Sequence, residues 1–427
     1  MTPKLYMVLM WAVLLIVYRT TNFQFQHAEL ETRFHPFDSM KDHKSVSVRV
    51  GYLPHGMAQS KSDLELKPLW FSKSHVTKQD NDQSHHNLLA MTVGIKQKLT
   101  VDAIVRKFLS ENFAIILFHY DGIVNEWHDL WWSHIVIHIA AHSQTKWWFA
   151  KRFLHPDTVS IYDYIFLWDE DLGVENFHPG RYLKIMKSEG LEISQPALDP
   201  NLSEIHHRIT VRRKKRTVHR RVFGTRGTGE CSSTSTGPPC TGWVEGMAPV
   251  FSRSAWHCAW HLIQNDLIHG WGMDMKLGYC AQGDRTKKVG IVDSEFIVHQ
   301  GVQTLGGSSA KKPCACVTHM DENLQIIHVN TRDYHENLQI IHVITLDYHI
   351  SLHQTDKRSK RLLHNNALQG YQRGTFDPRT EIRRRSRSEL YLFQERWDQA
   401  AREDEGWVDP FRAPKQKKRR PLTSNVP

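Results

Sequence analysis

The sequence predicts an α/β fold: a single Rossmann-like mixed sheet flanked by helices. Residues 113–118 form a continuous apolar run, which is typical of a buried parallel strand, and the mainly apolar stretches 135–141 and 161–168 are further strand candidates. A helical pattern over residues 145–154 separates these two stretches, and such alternation is typical of a doubly wound sheet. With 40% hydrophobic and 23% charged residues, the chain has material for a large core, which excludes a wholly disordered protein.

The other elements follow from local patterns. A short apolar strand is predicted to begin near Leu88, where the ordered part of the chain starts. Thr100 is predicted to cap the next helix, because apolar residues recur at helical spacing from Val101 to Leu109. Further along, the patterns predict a helix over 181–190, strands over 193–196 and 243–251, a helix over 252–267, a strand over 289–298 and a last helix capped by Ser388.

An apolar segment near the N-terminus predicts a membrane anchor. Residues 5–18 are 14 apolar residues without a break, flanked by Lys4 and Arg19. A helix of that length spans about 21 Å, less than a bilayer core of about 30 Å, so residues 20–23 are expected to extend the span. We expect an uncleaved, single-pass signal-anchor of type II in a Golgi or other secretory-pathway membrane. A cleaved signal peptide and a buried core helix are the alternatives.

Composition divides the chain into six segments. They are a cytoplasmic tip and signal-anchor (1–23), a polar, His-rich stem or linker (24–87), an α/β catalytic-like domain (88–307), an insertion (308–370), a C-terminal helical part of the domain (371–411) and a basic, disordered tail (412–427). The insertion contains a tandem repeat, since residues 322–335 recur at 336–349 with 12 of 14 positions identical. Solenoid repeats are usually longer and more numerous, so the repeat indicates a local duplication.

Four cysteines are candidates for disulfide bonds in an oxidising lumen. Cys231, Cys240, Cys258 and Cys280 allow three connectivities. The pair Cys231–Cys240 is favoured first, because these two residues bracket a loop rich in Gly, Ser, Thr and Pro. Asn201 begins the only N-glycosylation sequon, which suits a luminal surface.

A run of carboxylates is the sharpest chemical feature. Asp169, Glu170 and Asp171 directly follow a predicted buried strand, and open α/β sheets bind ligands at the carboxyl ends of strands. Two aspartates at positions i and i+2 can hold a divalent cation, here Mn²⁺ or Mg²⁺, which would neutralise a diphosphate leaving group. His299 ends a later strand and is predicted to complete this metal site. An acidic surface turn and a structural histidine are the alternatives.

Further residues are candidates for catalysis and substrate binding. Asp274 is a candidate general base that would take a proton from an acceptor hydroxyl, with a helix N-cap as the alternative. Asp121, Trp243 and Glu245 are predicted to bind substrate. For Glu245 the expected contact is a sugar hydroxyl, and an ion pair with an arginine is the alternative.

Two compositional features have plainer interpretations. Six tryptophans lie between Trp127 and Trp168, where packing against the sheet is favoured over a sugar-stacking platform. Residues 206–221 carry eight Lys or Arg, part of a formal net charge of +10. A solvated loop, or a face that attracts sugar-nucleotide phosphates or anionic polysaccharide, agrees with the predicted anchor. No nucleic acid partner is expected.

Several long motifs, in the right order, resemble the plant family called domain of unknown function 707. These motifs are residues 93–98, 117–122, 145–152, 166–173, 193–200, 239–245 and 279–286. The resemblance covers about residues 88–307 and resumes near 371–411, while the segment between them is absent from the usual family pattern. Members are often labelled as related to lysine-ketoglutarate reductase trans-splicing. No G-x-G-x-x-G motif follows a strand here, so the residues do not support a reductase.

The layout of this family is similar to that of A-type glycosyltransferases. By that fold-level analogy, Asp169 and Asp171 match the metal-binding acids, His299 matches the late metal ligand and Asp274 matches the base. The predicted function is metal-dependent transfer of a sugar from a nucleotide-sugar to a glycan or other hydroxyl acceptor. The alternative is a non-catalytic, membrane-anchored protein that keeps the fold as a binding scaffold.

Overall fold

The computed structural model describes residues 50–62, 86–224, 231–302 and 378–411. All of them belong to the compact unit that begins at Val50. Within these ranges nine strands form one sheet. The strands are β1 (Asn87–Val93), β2 (Phe113–His119), β3 (Ile137–Ala140), β4 (Tyr164–Trp168), β5 (Leu172–Gly173), β6 (Ile193–Leu198), β7 (Val218–His219), β8 (Val250–Ser252) and β9 (Val289–His299).

Helices connect and cover the strands. The α-helices are α1 (Lys98–Leu109), α2 (Lys146–Phe153), α3 (Pro179–Ser188), α4 (Arg253–Leu262), α5 (Asp274–Leu277), α6 (Arg285–Lys288) and α7 (Pro378–Glu403). Single 3-10 turns lie at His55–Met57, Ile95–Gln97, Asn125–Trp127, Arg208–Thr210 and Gly278–Cys280.

The sheet is mixed and has a reversal in its strand order. The order is β3-β2-β1-β4-β8-β6-β9-β5, and β7 pairs with β9. Strands β1 to β4 run parallel, β8 lies antiparallel between β4 and β6, and β6 runs parallel to β9. The carboxyl ends of β1, β2, β3, β4, β6 and β9 therefore share one edge. The chain adds β2 and β3 on one side of β1 and then β4 on the other, which makes β1 and β4 the topological switch point.

Both faces of the sheet are buried. In β1, Leu88 and Ala90 belong to one hydrophobic cluster, whereas Leu89 and Met91 belong to a second. Helices α2, α4 and α7 contribute to the first cluster, and helices α1 and α3 contribute to the second. Burial on both faces explains why the strands read as continuous apolar runs and not as alternating ones. The predicted mixed α/β sheet flanked by helices is confirmed.

Two predicted helix starts are wrong. Helix α1 begins at Lys98 with Gln97 at the N-cap position, so Thr100 lies inside the first turn. Helix α7 begins at Pro378, ten residues before Ser388. The Ser388 hydroxyl donates to the carbonyl oxygen of Arg384, one turn earlier. A serine that bonds back in this way is compatible with a helix interior, although serine most often marks a helix start.

The predicted strand over residues 243–251 is mostly a loop. Only Val250–Ser252 pairs as β8. Trp243 and Val244 are nevertheless fully buried in the core. Gly246 and Pro249 interrupt the segment, and proline cannot donate to a strand ladder. An apolar run can therefore be buried without being a strand, and here that loop carries Glu245.

Part of the predicted stem belongs to the folded domain. The ammonium group of the fully buried Lys151 donates to the Gln59 carbonyl at 2.7 Å and to the Trp260 carbonyl at 3.0 Å. Tyr52 bonds through its backbone N–H to the Tyr279 carbonyl at 3.0 Å. Residues 50–62 therefore pack against α2 and α4, whereas the prediction placed them in a linker over 24–87.

Two disulfides hold the second half of the domain. The structure pairs Cys231 with Cys240 and Cys258 with Cys280, with Cα–Cα distances of 5.3 and 5.2 Å. The first pair is the one that the sequence favoured. The second joins α4 to the turn that follows α5, so it braces the segment that carries Asp274.

The tryptophans between 127 and 168 mostly pack in the core. Trp127, Trp132 and Trp168 are fully buried, while Trp131 is about half exposed. On α7, Phe393 and Trp397 are buried in the core cluster, so this helix docks on the core.

No helix in the described ranges combines the length and the apolar character needed to cross a membrane. The predicted anchor (1–23), the whole insertion (308–370) and the tail (412–427) lie outside the described residues.

Candidate functional site

The predicted acids gather at the carboxyl edge of the sheet. Asp121 follows β2, the run Asp169 to Asp171 follows β4, and His299 is the last residue of β9. This is the edge at which open α/β sheets bind their ligands.

Glu170 lies at the switch point between β1 and β4, where it links the ends of neighbouring strands. One of its oxygens accepts from the backbone N–H of Gly94 at 2.6 Å, and the other accepts from the hydroxyl of Tyr120 at 2.5 Å. A Cβ at residue 94 would collide with the Tyr120 ring, so this close approach requires glycine. Burial raises the pKa of Glu170 to about 8. Glu170 is thus a structural bridge between three strand ends.

Asp121 is used in the same way. Its two carboxylate oxygens accept from the backbone N–H groups of Ile95 at 2.7 Å and Ile123 at 2.9 Å. The carboxylate therefore joins the loop after β1 to the loop after β2. Its predicted contact with substrate stays a prediction.

Asp169 is paired with a buried lysine. The Lys146 ammonium lies 2.6 Å from Asp169 Oδ1 and donates to the Gly246 carbonyl at 2.5 Å. The Lys146 side chain is 8% exposed and that of Asp169 is 38% exposed. Lys146 is the first residue of α2, where the cap residue Thr145 fixes the helix start. The ammonium thereby ties the acid loop after β4 to the loop that carries Glu245.

Asp171 and His299 face each other. His299 Nε2 lies 3.6 Å from Asp171 Oδ2, and both side chains are about nine-tenths buried. The pairing of β5 with the end of β9 fixes this register, because Leu172 pairs with His299. Burial and the neighbouring Asp169 raise the pKa of Asp171, while His299 opposes that shift.

The predicted three-ligand metal site is only partly assembled. Asp171 and His299 lie together, but Asp169 binds Lys146 instead. Among the described residues, no three His, Cys, Asp or Glu side chains are grouped so that they could hold a metal ion. Of the three predicted ligands, the structure brings together two, Asp171 and His299.

Glu245 has one satisfied oxygen and one free oxygen. Its Oε1 lies 3.0 Å from His206 Nδ1, and its backbone N–H donates to Gln195 Oε1 at 2.5 Å. Its Oε2 is buried and has no hydrogen-bond partner within the described part of the chain. Glu245 holds the pKa of His206 up, at about 9, so the imidazole is charged and the pair is an ion pair. The predicted arginine partner is thus replaced by a histidine.

Trp243 presents a second unpartnered polar group. Its ring is 1% exposed and lies 4.4 Å, centroid to centroid, from the His207 ring. Its indole N–H has no acceptor of ordinary hydrogen-bond geometry in the ranges that the structure describes. Buried polar groups are nearly always paired, so the Glu245 oxygen and the Trp243 indole are exceptions in the described ranges, as are the indoles of Trp127 and Trp168.

Asp274 lies beside this pair. Burial raises its pKa to about 7, and the charge of Glu245 adds to the shift. Its Oδ1 accepts from the Met275 backbone N–H at 2.8 Å, and the Trp243 indole has a small lowering effect. Asp274 is the first residue of α5, and Met273 stands at the N-cap position, so the predicted alternative of an N-cap is wrong. A carboxyl group with a pKa near 7 is suited to accept a proton at neutral pH.

Two neighbouring elements position the Asp274 loop. At the start of α2, the Thr145 hydroxyl donates to the Ile268 carbonyl, and the Trp147 ring packs where a Cβ at Gly270 would stand. On α7, both Glu389 oxygens bind His269, one at the backbone N–H (2.8 Å) and one at Nδ1 (2.7 Å). The loop is therefore fixed on two sides, which prepares the carboxylate for a single orientation.

Sequence reasoning missed three residues of this site. Lys146 lay in a helical pattern and His206 in a basic run, and Glu170 was noted without a role. A buried lysine that follows a helix cap has no distinctive spacing, so no sequence signal identified it. Asn201, the predicted glycosylation site, is exposed, and its modification stays a prediction.

The fold and this edge define a mixed α/β protein with a carboxylate- and histidine-lined site at the topological switch point of its sheet. The family model described as Protein of unknown function (DUF707) matches residues 45–403. The chain belongs to this family, as its motifs predicted. A comparison with curated proteins finds no match.

Proposed function

We propose that this protein is a glycosyltransferase-like enzyme of the secretory pathway. It transfers a sugar from a nucleotide-sugar to a hydroxyl acceptor such as a glycan. One observation carries the proposal: Glu245, with an oxygen that is unpartnered among the described residues, and Asp274, with a raised pKa, lie together at the edge where α/β sheets bind ligands.

The strand order supports an A-type glycosyltransferase-like fold. Parallel strands in the order β3-β2-β1-β4, followed by acids directly after β4, give the layout that such enzymes use. Two disulfides support an oxidising compartment, and with it the proposed type II anchor in a Golgi or other secretory membrane.

The proposed chemistry uses Asp274, Glu245 and Trp243. The bond between sugar C1 and the diphosphate oxygen breaks, and a bond between C1 and the acceptor oxygen forms. The Asp274 carboxylate takes the acceptor proton, and the nucleoside diphosphate leaves. Glu245 Oε2 accepts from one sugar hydroxyl and the Trp243 indole donates to another. His206 holds Glu245 in place through its 3.0 Å contact.

A divalent cation, Mn²⁺ or Mg²⁺, is part of the proposal. Asp171 and His299 would hold it, and it would neutralise charge on the diphosphate. The Asp171 carboxylate is held in place by the Val302 backbone N–H, which donates to its Oδ2 at 2.9 Å.

Calorimetry on the full-length protein tests the proposal. Common nucleoside diphosphates are titrated with Mn²⁺ into the wild type, Asp171→Ala and Asp157→Ala. Asp157 is an exposed acid on the loop before β4, at the opposite edge, and serves as the matched control. We expect one nucleotide to bind the wild type and the control but not Asp171→Ala. Absence of binding by the folded wild type would refute the proposal.

A non-catalytic binding scaffold is the second candidate. The observation that favours it is the internal use of Asp121 and Glu170, whose four oxygens all accept hydrogen bonds from this chain. Nucleotide or glycan binding without any turnover would select this candidate.

A further inference from the structure

We propose that the basic segment from Arg208 to Arg216 binds an anionic polysaccharide with carboxylates along its chain, a polyuronate. This glycan would be the hydroxyl acceptor, so the inference rests on the proposed function and names its acceptor class. The segment lies between β6 and β7.

The first step is the lack of acidic partners. Eight Lys or Arg lie between residues 206 and 221. In the part of the chain that the structure describes, only Arg220 among them pairs with an acid, Glu189, at 2.8 Å. Arginines on other elements form ion pairs with acids, as Arg106, Arg181, Arg253 and Arg396 do. The segment therefore presents positive charge that is available to an anionic ligand.

The second step is the repulsion between these charges. Partial burial and the charges of Arg216 and Arg208 lower the pKa of Arg213, although Asp293 opposes the shift. Holding like charges close together costs free energy. A bound polyanion would remove that cost, whereas a solvated loop could avoid it by spreading its side chains.

The third step is the fixed backbone of the segment. Asp293, on β9, is 1% exposed. Its Oδ1 accepts from the Arg213 backbone N–H at 2.6 Å, and its Oδ2 lies 2.8 Å from His219 Nδ1. One buried carboxylate thus holds the basic segment and the strand that follows it, β7. Because the backbone is already ordered, less conformational entropy is lost when a ligand binds.

The fourth step is the turn at the tip of the segment. The Arg216 backbone N–H donates to the Arg213 carbonyl at 3.3 Å and closes the turn around Lys214 and Lys215. Lys215 has a φ of +96°, in the region that favours glycine. A lysine there costs stability, and strain of this kind is typical of functional sites. Lys214, Lys215 and Arg216 are all exposed, so the turn presents three successive cations to solvent.

The fifth step is the choice of a polymer as the ligand. His206 and His207 directly precede the segment and contact Glu245 and Trp243 of the candidate site. A glycan bound along the segment can therefore extend to that site. A nucleotide concentrates its charge on one diphosphate, whereas these cations are spread over residues 208–216. The two disulfides support an oxidising compartment and favour polysaccharide over nucleic acid.

Calorimetry with oligogalacturonides, which carry one carboxylate per sugar, tests the inference on the full-length protein. We expect the wild type to bind them, and Arg213→Gln/Arg216→Gln to bind them about tenfold more weakly, because two ion pairs are lost. Arg383→Gln/Arg387→Gln removes the same net charge from two exposed residues of α7 and should keep the wild-type affinity. Fully methyl-esterified oligogalacturonides are neutral and should bind the wild type at least about tenfold more weakly.

Melting curves establish that each variant is folded, and the neutral oligosaccharide tests the inference on the wild type even if Arg213→Gln/Arg216→Gln does not fold. Absence of oligogalacturonide binding by the wild type would overturn the inference. An equal loss of affinity in the α7 control, or tighter binding of duplex DNA than of oligogalacturonide at the same salt concentration, would also overturn it.

A nucleoside diphosphate titration with Mn²⁺ separates this inference from the proposed function. Nucleotide binding without oligogalacturonide binding would overturn the inference alone. Oligogalacturonide binding that depends on Arg213 and Arg216, without nucleotide binding, would refute the proposed function and support the role of the basic segment.

Discussion

Two acid groups at the same edge of the sheet differ in how their oxygens are used. In the strand-end group, which comprises Asp121 and Glu170, each of the four carboxylate oxygens accepts a hydrogen bond from this chain. In the loop group, Glu245 leaves Oε2 unpartnered among the described residues, and the pKa of Asp274 is raised to about 7. Burial raises the pKa of Glu170 as well, to about 8, so the two groups differ in the hydrogen bonding of their oxygens and not in the direction of their pKa shifts.

The difference in hydrogen bonding indicates that substrate binds at the loop group, Glu245 and Asp274. Strand ends are fixed by the sheet ladder, so acids there can be satisfied by neighbouring backbone N–H groups. The loop acids are held from behind by His206 and by the α2 and α7 contacts with residues 268–270. Holding a buried acid while leaving an oxygen free costs stability, and such a cost is typical of functional sites.

The largest expected effect is that of Asp274→Asn. The amide cannot accept a proton, so sugar transfer should fall about 10²- to 10⁴-fold, as for the loss of a general base. Nucleotide binding should persist, because Asp274 does not contact the diphosphate in the proposed chemistry. Transfer assays with Asp157→Asn as control check this. An unchanged transfer rate in Asp274→Asn would show that Asp274 is not the general base.

The same carboxyl group predicts a pH dependence. Asp274 must be ionised to act, so the wild-type rate should fall about tenfold per pH unit below pH 7 and level off above it. Its folded pKa lies above its unfolded pKa, so the free energy of unfolding should decrease as pH rises from about 4 to about 7. Asp274→Asn should lose the slope of the rate and reduce the slope of the free energy of unfolding, where the raised pKa of Glu170 still acts in the same direction. Rate profiles and denaturant unfolding at several pH values would show both effects.

The smallest effect concerns Glu170 and tests the strand-end group. Glu170→Ala leaves the Gly94 N–H without its acceptor and should lower the free energy of unfolding by about 1–3 kcal/mol. Glu170→Gln retains one acceptor for Gly94 and offers a donor to the Tyr120 oxygen, so its cost should be below about 1 kcal/mol. Urea unfolding measures both. A large loss of nucleotide binding in folded Glu170→Gln would show that this group contacts substrate.

Much of the fold could be predicted from sequence, because burial on both faces gives strands a continuous apolar run. The same signal failed at 243–249, where a loop is equally buried. Of the site, the edge position of Asp169, Asp171 and His299 was predictable, since each follows or ends a strand. The pairing of Asp169 with Lys146 was not, because it joins residues 23 positions apart through packing of α2 against the sheet.

The central claim is that Glu245 Oε2 and the Trp243 indole, which have no hydrogen-bond partner of ordinary geometry among the described residues, face the substrate. A crystal structure of the full-length protein with a bound nucleotide-sugar tests it most directly. We expect a sugar hydroxyl within about 3.2 Å of Glu245 Oε2, a second one at the Trp243 indole and the diphosphate beside Asp171 and His299. A nucleotide-sugar bound elsewhere, with both groups still unpartnered, would contradict the claim.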